Sequence, residues 1–168
     1  MLQVKYFIHF FVYLVLQFFV FERMNIEGYL PPPHVFVLFL VFSPLRLFRA
    51  TYFISCFSFG ILLDALVRPL GAHAFAAVFI AAMRGIWIEL VKPNVSNEEL
   101  QVLEIETQRF SWQMLFLIPL IFLYELCYYI LADFALTLQT ITKVVSGTVY
   151  TALFCVIFTI LFYRKTGK

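Results

Sequence analysis

Residues 50–91 read ATYFISCFSFGILLDALVRPLGAHAFAAVFIAAMRGIWIELV, two apolar runs that meet at a short turn around Arg68, Pro69 and Leu70. A helix crossing a hydrocarbon core of about 30 Å needs about 20 apolar residues, with about 17 tolerated. The runs at 50–66 and 71–91 both meet that test. So short a connection makes them an antiparallel helical hairpin. The rest of the chain has the same character. It has 168 residues, of which 63% are hydrophobic, 20% aromatic and 13% charged. Soluble domains are about 45–50% apolar and about 25% charged. A chain this short has too much surface for its volume to hide 22 Phe and 9 Tyr from water. Lipid is therefore the solvent for most of its surface. The formal net charge of +2 forms no dense basic patch of the kind a nucleic acid requires.

Working outward from the hairpin, residues 112–132 and 144–163 are long enough to span, and 6–21 falls only just short. The run at 6–21 ends in Val20, Phe21 and Glu22 without a small-residue cleavage site, which reads as an uncleaved first span rather than a secretory signal. Residues 34–48 form a sixth candidate that follows Pro31, Pro32 and Pro33. Prolines suit the start of a helix, whereas Pro44 would kink or end it near Ser43. The segment either crosses steeply or only dips in.

With six crossings and a cytoplasmic start, the inside carries Lys5, Arg46, Arg49, Lys92, Arg109, Arg164, Lys165 and Lys168, and the outside Arg23, Arg68 and Lys143. With five crossings, Lys5 and Arg23 trade sides and the tally is unchanged. Six spans are preferred, because a short first anchor with no domain before it keeps its start inside. The expectation is one polytopic, all-α domain over residues 1–168, with a cytoplasmic loop at 92–111. In that loop Ser96 and Glu99 have the spacing of a capping box, so it holds a short juxtamembrane helix or is a solvated linker. Cys56, Cys127 and Cys155 all lie inside apolar runs and share no metal-binding spacing, as suits small buried hydrophobes.

Ionisable groups inside a bilayer cost about 2.5–3.5 kcal/mol each near a helix centre, so each needs a partner or a purpose. Counting outward from the turn places Asp64 opposite His73, close enough to pair, with Arg68 one helical turn beyond Asp64. These predict a polar clasp at the outer end of the hairpin. Glu125 arrives at the same layer from the fifth span and either joins the clasp or stays protonated or snorkels toward the headgroups among Tyr124, Tyr128 and Tyr129. Arg84 lies about 15 Å below Asp64 along the axis, too far to bridge it, and is expected to reach the cytoplasmic headgroups. Ala74, Ala77, Ala81 and Gly85 form a small-residue stripe that matches Cys56, Gly60 and Asp64 across the hairpin.

No phosphate loop, metalloprotease helix, serine elbow or Cys-His nucleophile pair is present in the sequence. The acids cluster at one depth and have no candidate nucleophile beside them. A proton or solute pathway would instead need them strung across the membrane. The expectation is a non-enzymatic protein with no cofactor and no metal.

Phe57, Gly60, Asp64, then Gly71, His73 and Ala74, then Arg84, resemble the FxxGxxxD, GxHA and terminal Arg pattern of the rod shape-determining MreD family. The stretch Gly28-Tyr29-Leu30-Pro31, the stop at Pro44, the approach from Arg109 to Trp112 and the basic tail extend the resemblance over nearly the whole chain. The sequence departs from the pattern at Pro33-His34, where the family has Pro-Tyr, and at Glu125, in a segment where relatives tend to carry His. The resemblance implies a multi-pass subunit of the bacterial cytoplasmic membrane, without catalysis of its own. It would act with a single-span MreC-like protein, MreB, a RodA-like glycosyltransferase and a class B penicillin-binding transpeptidase in lateral wall synthesis. It also implies a bundle of about six transmembrane helices resembling the substrate-binding component of energy-coupling-factor transporters. The alternative reading is thus a vitamin-binding transport subunit. In the first reading, Gly60, Asp64, Arg68, Gly71, His73, Arg84 and Glu125 hold helices together or meet partners.

Overall fold

The computed structural model describes residues 2–24, 31–43, 49–67, 71–91 and 110–163, and these are helical wherever they are regular. Helix α1 (Leu2–Leu16) continues through a π turn at Gln17–Phe21 and a 3-10 turn at Glu22–Met24. It is followed by α2 (Val37–Phe42), α3 (Arg49–Val67), α4 (Ala72–Val91), α5 (Phe110–Asp133) and α6 (Leu138–Phe158), the last extended by a π turn at Thr159–Tyr163. Five of these segments, all except α2, are long and apolar enough to cross a membrane. The protein is a multi-pass helical membrane bundle.

The sixth candidate span, 34–48, is described only as far as Ser43, and the helix it contains there is too short to cross a membrane. Within it lies the six-residue α2, and every residue from Pro33 to Ser43 is buried. Such enclosure suits VLFLVF, which is apolar on all sides and has no polar stripe to turn outward. Ser43 ends the helix in an extended conformation (φ −53°, ψ 139°), as a residue before proline is driven to do. The segment runs back alongside α1, with Phe36 held by Gln17 near one end and Phe39 packed on Tyr6 at 5.0 Å near the other. It is also antiparallel to α3, where Phe36 stacks on Phe59 at 4.9 Å and Tyr52 donates to the Leu40 carbonyl.

The hairpin of α3 and α4 forms as the sequence predicts. A Cβ added to Gly60 would stand 2.4 Å from the Cα of Ala74, so the helices touch backbone to backbone. Ala74, Ala77 and Ala81 are buried on that seam, but Gly85 is exposed with nothing within 4 Å of its Cβ position, so the small-residue stripe stops short of it. Gly71 starts the turn into α4 with φ +87°, a conformation that costs other residues.

The last helix begins at Leu138, earlier than the expected 144. Thr137 caps it by accepting the amide of Thr140, and Lys143, expected in an external turn, sits inside the helix and pairs with Asp133 at 2.9 Å. Hydropathy registers only apolar residues, whereas a helix starts where its orphan amides are satisfied. The loop expected at 92–111 lies outside the described residues up to 109, as do Arg68, Pro44 and the basic tail; Phe110 and Ser111 belong to α5.

These contacts set different costs for the glycines. Gly60→Ala should lower stability in detergent by about 1–3 kcal/mol through overpacking. Gly85→Ala should be neutral or gain about 0.5–1 kcal/mol from helix propensity. Equal melting temperatures for the two variants would contradict the contact at Gly60.

Candidate functional site

At the end of the bundle where α3 turns into α4, a layer of polar side chains lies inside the helices. Asp64 is part of it, but not as the expected clasp. Its Oδ1 accepts the backbone amide of His73 at 3.0 Å and its Oδ2 that of Ala74 at 2.9 Å. Asp64 therefore caps α4 from the neighbouring helix, where the unpaired amides and the positive end of the helix dipole favour a carboxylate. The His73 imidazole turns away from Asp64. Its Nδ1 hydrogen-bonds the Tyr124 hydroxyl at 2.6 Å, and its ring stacks on Tyr128 at 4.3 Å.

Glu125 occupies this layer and does not join Asp64. It is fully buried on α5, without reaching headgroups, and His34 Nδ1 lies 3.0 Å from both of its carboxylate oxygens. Thr151 on α6 donates to Oε1 at 2.7 Å and accepts the backbone amide of His34 at 3.0 Å. With Glu125 ionised, His34 presents Nδ1–H to it. Gly147 makes room on α6, because a Cβ there would meet Glu125 Oε2 at 3.1 Å. Gln17 brackets the histidine from α1 by donating to the Pro33 carbonyl and accepting the Phe36 amide. The ring of His34 lies 5.2 Å from that of His73, so the two hydrogen-bonded sets are neighbours.

Arg84 is the clearest correction. It does not extend to the headgroups but is 3% exposed, with one guanidinium nitrogen donating to the Ser43 carbonyl and its centre 4.8 Å from the Tyr52 ring. The hairpin alone did not supply this partner. It comes from the segment containing α2, whose last carbonyls lack helical partners and attract a cation.

The expected site residues thus separate by role. Gly60, Gly71 and Asp64 shape the hairpin, His73 and Glu125 belong to the polar layer, and Arg84 lies at the other end; Arg68 is outside the described residues. Thr151 and Gln17 escape sequence reasoning, and the sequence does not link His34 to Glu125 or Tyr124 to His73. His34 and Glu125 are 91 positions apart, so no local spacing links them. The proline triplet, Pro44 and the Pro33-His34 departure from the family pattern mark that chain segment without pointing to Glu125. Among the described residues no group of three or more His, Cys, Asp or Glu is placed to hold a metal ion. The arrangement fixes charges against one another and ties α1, α2, α4, α5 and α6 into one layer. No family model, curated protein or solved structure matches this chain.

Removing one member of a buried pair costs about 3–5 kcal/mol, whereas replacing both with apolar groups is often close to neutral. Glu125→Leu and His34→Phe should each melt well below wild type, and the double variant should recover much of the loss. Simple addition of the two losses would show that the pair is not coupled.

Proposed function

We propose that this protein is a non-enzymatic scaffold subunit of the bacterial cell-wall elongation complex, an MreD-type protein of the cytoplasmic membrane that helps to control cell shape. Its partners in this reading are an MreC-like single-span protein, a RodA-like glycosyltransferase, a class B penicillin-binding transpeptidase and MreB. The observation that carries the reading is the inward commitment of its charges. Both Glu125 oxygens are taken by His34 and Thr151, and both Asp64 oxygens by the start of α4. Groups committed in this way fix helices and leave the outside apolar, as a platform for partner helices requires. The α1 face with Phe7, Phe11 and Phe19 and the α6 face with Val145, Val149 and Leu153 are exposed.

The two departures from the family pattern, at Pro33-His34 and Glu125, meet in the polar layer. His34 and Glu125 are in contact, so the two positions are neighbours in this fold. A likeness of the fold to the substrate-binding components of energy-coupling-factor transporters belongs to the same proposal.

One feature favours the alternative, a subunit that binds a vitamin-like molecule. His34 Nε2, His73 Nε2 and the Tyr129 hydroxyl are buried in the polar layer without a hydrogen-bond partner among the described residues. A binding subunit should copurify with a small molecule and lose it when Asp64 or Glu125 is neutralised. A scaffold should copurify with an MreC-like single-span protein and be indifferent to vitamins.

Asp64→Asn weakens a cap worth about 1 kcal/mol and loosens the end of the hairpin. Coexpressed with an MreC-like partner, the variant should insert normally and pull down several-fold less of it. Wild-type recovery of the partner would count against the scaffold mechanism.

A further inference from the structure

The connection between α5 and α6 turns its polar groups onto one another and its apolar groups outward. Asp133 ends α5, and Lys143 Nζ reaches its two carboxylate oxygens at 2.9 and 3.0 Å. The Thr140 hydroxyl lies 3.0 Å from both Asp133 Oδ2 and the Ala135 carbonyl, while Thr137 caps α6. Around this knot Phe134, Leu136 and Leu138 are 77%, 74% and 78% exposed, more than any other large hydrophobic side chain among the described residues.

Phe134 also has a strained backbone. Its φ of +49° is the left-handed conformation, and no other described residue except glycine has a positive φ. Glycine adopts that conformation freely, whereas a bulky side chain resists it. Packing within the chain does not offset the strain, because the ring lies outside it. The polar knot instead holds the turn in a shape that aims Phe134 away from the bundle.

The position of the turn decides what the ring meets. Residues 134–137 are not helical. Backbone outside a helix cannot lie bare in hydrocarbon, where its amides and carbonyls would have no partners. The turn joins two spans, so it lies at the membrane boundary, with its backbone wet and its apolar side chains free to point into the acyl region. Leu138 also opens an exposed face of α6 that continues through Ile141, Val145 and Val149 at spacings of three and four residues.

We propose that Phe134, Leu136 and Leu138 form a wedge seated in the boundary between lipid headgroups and acyl chains, and that this wedge fixes the depth of α5 and α6. The occupant is lipid rather than a partner protein, because the apolar surface of the turn continues onto the lipid-facing side of α6. Glu125 lies about 12 Å along α5 from Asp133, so the wedge also holds the polar layer at a set distance from the headgroups. The inference is independent of the cell-wall reading.

Spin labelling of the purified full chain in nanodiscs of phosphatidylcholine and phosphatidylglycerol tests this. Nitroxides are attached through Phe134→Cys, Leu136→Cys and Leu138→Cys, each with Cys127→Ala, since Cys56 and Cys155 are buried and Cys127 is less so. A label at Val149→Cys serves as the reference within the span. Oxygen, which concentrates among acyl chains, should relax the three turn labels more than a water-soluble nickel chelate does, by a smaller margin than at Val149. Labels relaxed mainly by the chelate would place the turn in water and overturn the proposal, and a docking surface for an absent partner protein would give that same result. The depth-fixing role has its own readout in a label at Ile141→Cys. Its ratio of oxygen to chelate relaxation should fall when Phe134→Gly and Leu136→Ser are combined, as the hairpin rises toward water. An unchanged ratio in the folded variant would overturn that role. If Phe134→Cys fails to fold, the labels at Leu136→Cys and Leu138→Cys decide the location of the turn.

Discussion

A single carboxylate held away from water organises the interior of this protein. Glu125 is completely enclosed, and its oxygens are met by His34 from the segment before α2 and by Thr151 from α6. A buried ion costs several kcal/mol unless its lone pairs are satisfied, so this geometry is enforced. Thr151 also receives the His34 amide, which fixes the backbone as well as the side chain. A short helix with apolar residues on every side could be placed in many ways by packing alone. The Glu125 pair and the Gln17 bracket give it one position.

The hairpin of α3 and α4 supplies the frame for that layer. Gly60 lets the helices meet at backbone distance, and Asp64 closes their joined end by capping α4. His73 leaves this cap to join Tyr124 on α5, so the frame and the polar layer share a residue. The same helix ties down the opposite end through Arg84, which holds the Ser43 carbonyl. A bundle pinned at both ends presents fixed apolar faces to the surrounding lipid.

The spans of α3, α4 and α5 were legible because bilayer thickness sets the length of an apolar run, and the hairpin because its turn is short. Proximity of Asp64 to His73 followed from counting residues from that turn. Their chemical relation did not, since the carboxylate chose backbone amides over the imidazole. The start of α6 was missed because Thr137 and Thr140 cap a helix without adding hydropathy. The sequence points Arg84 toward the headgroups because short chain separation brings it only the helix across the hairpin, whereas its partner belongs to a segment 41 positions away.

By itself the sequence determined the solvent, the long helices and the hairpin. Each of these depends on hydrophobic length or on residues close together in the chain. Tertiary structure alone decided that the proline-flanked segment would be a buried six-residue helix, that His34 would answer Glu125, and that Arg84 would turn inward. The reason is that a buried charge is matched by whichever polar group the packed helices bring within about 3 Å, and separation along the chain does not reveal which group that will be.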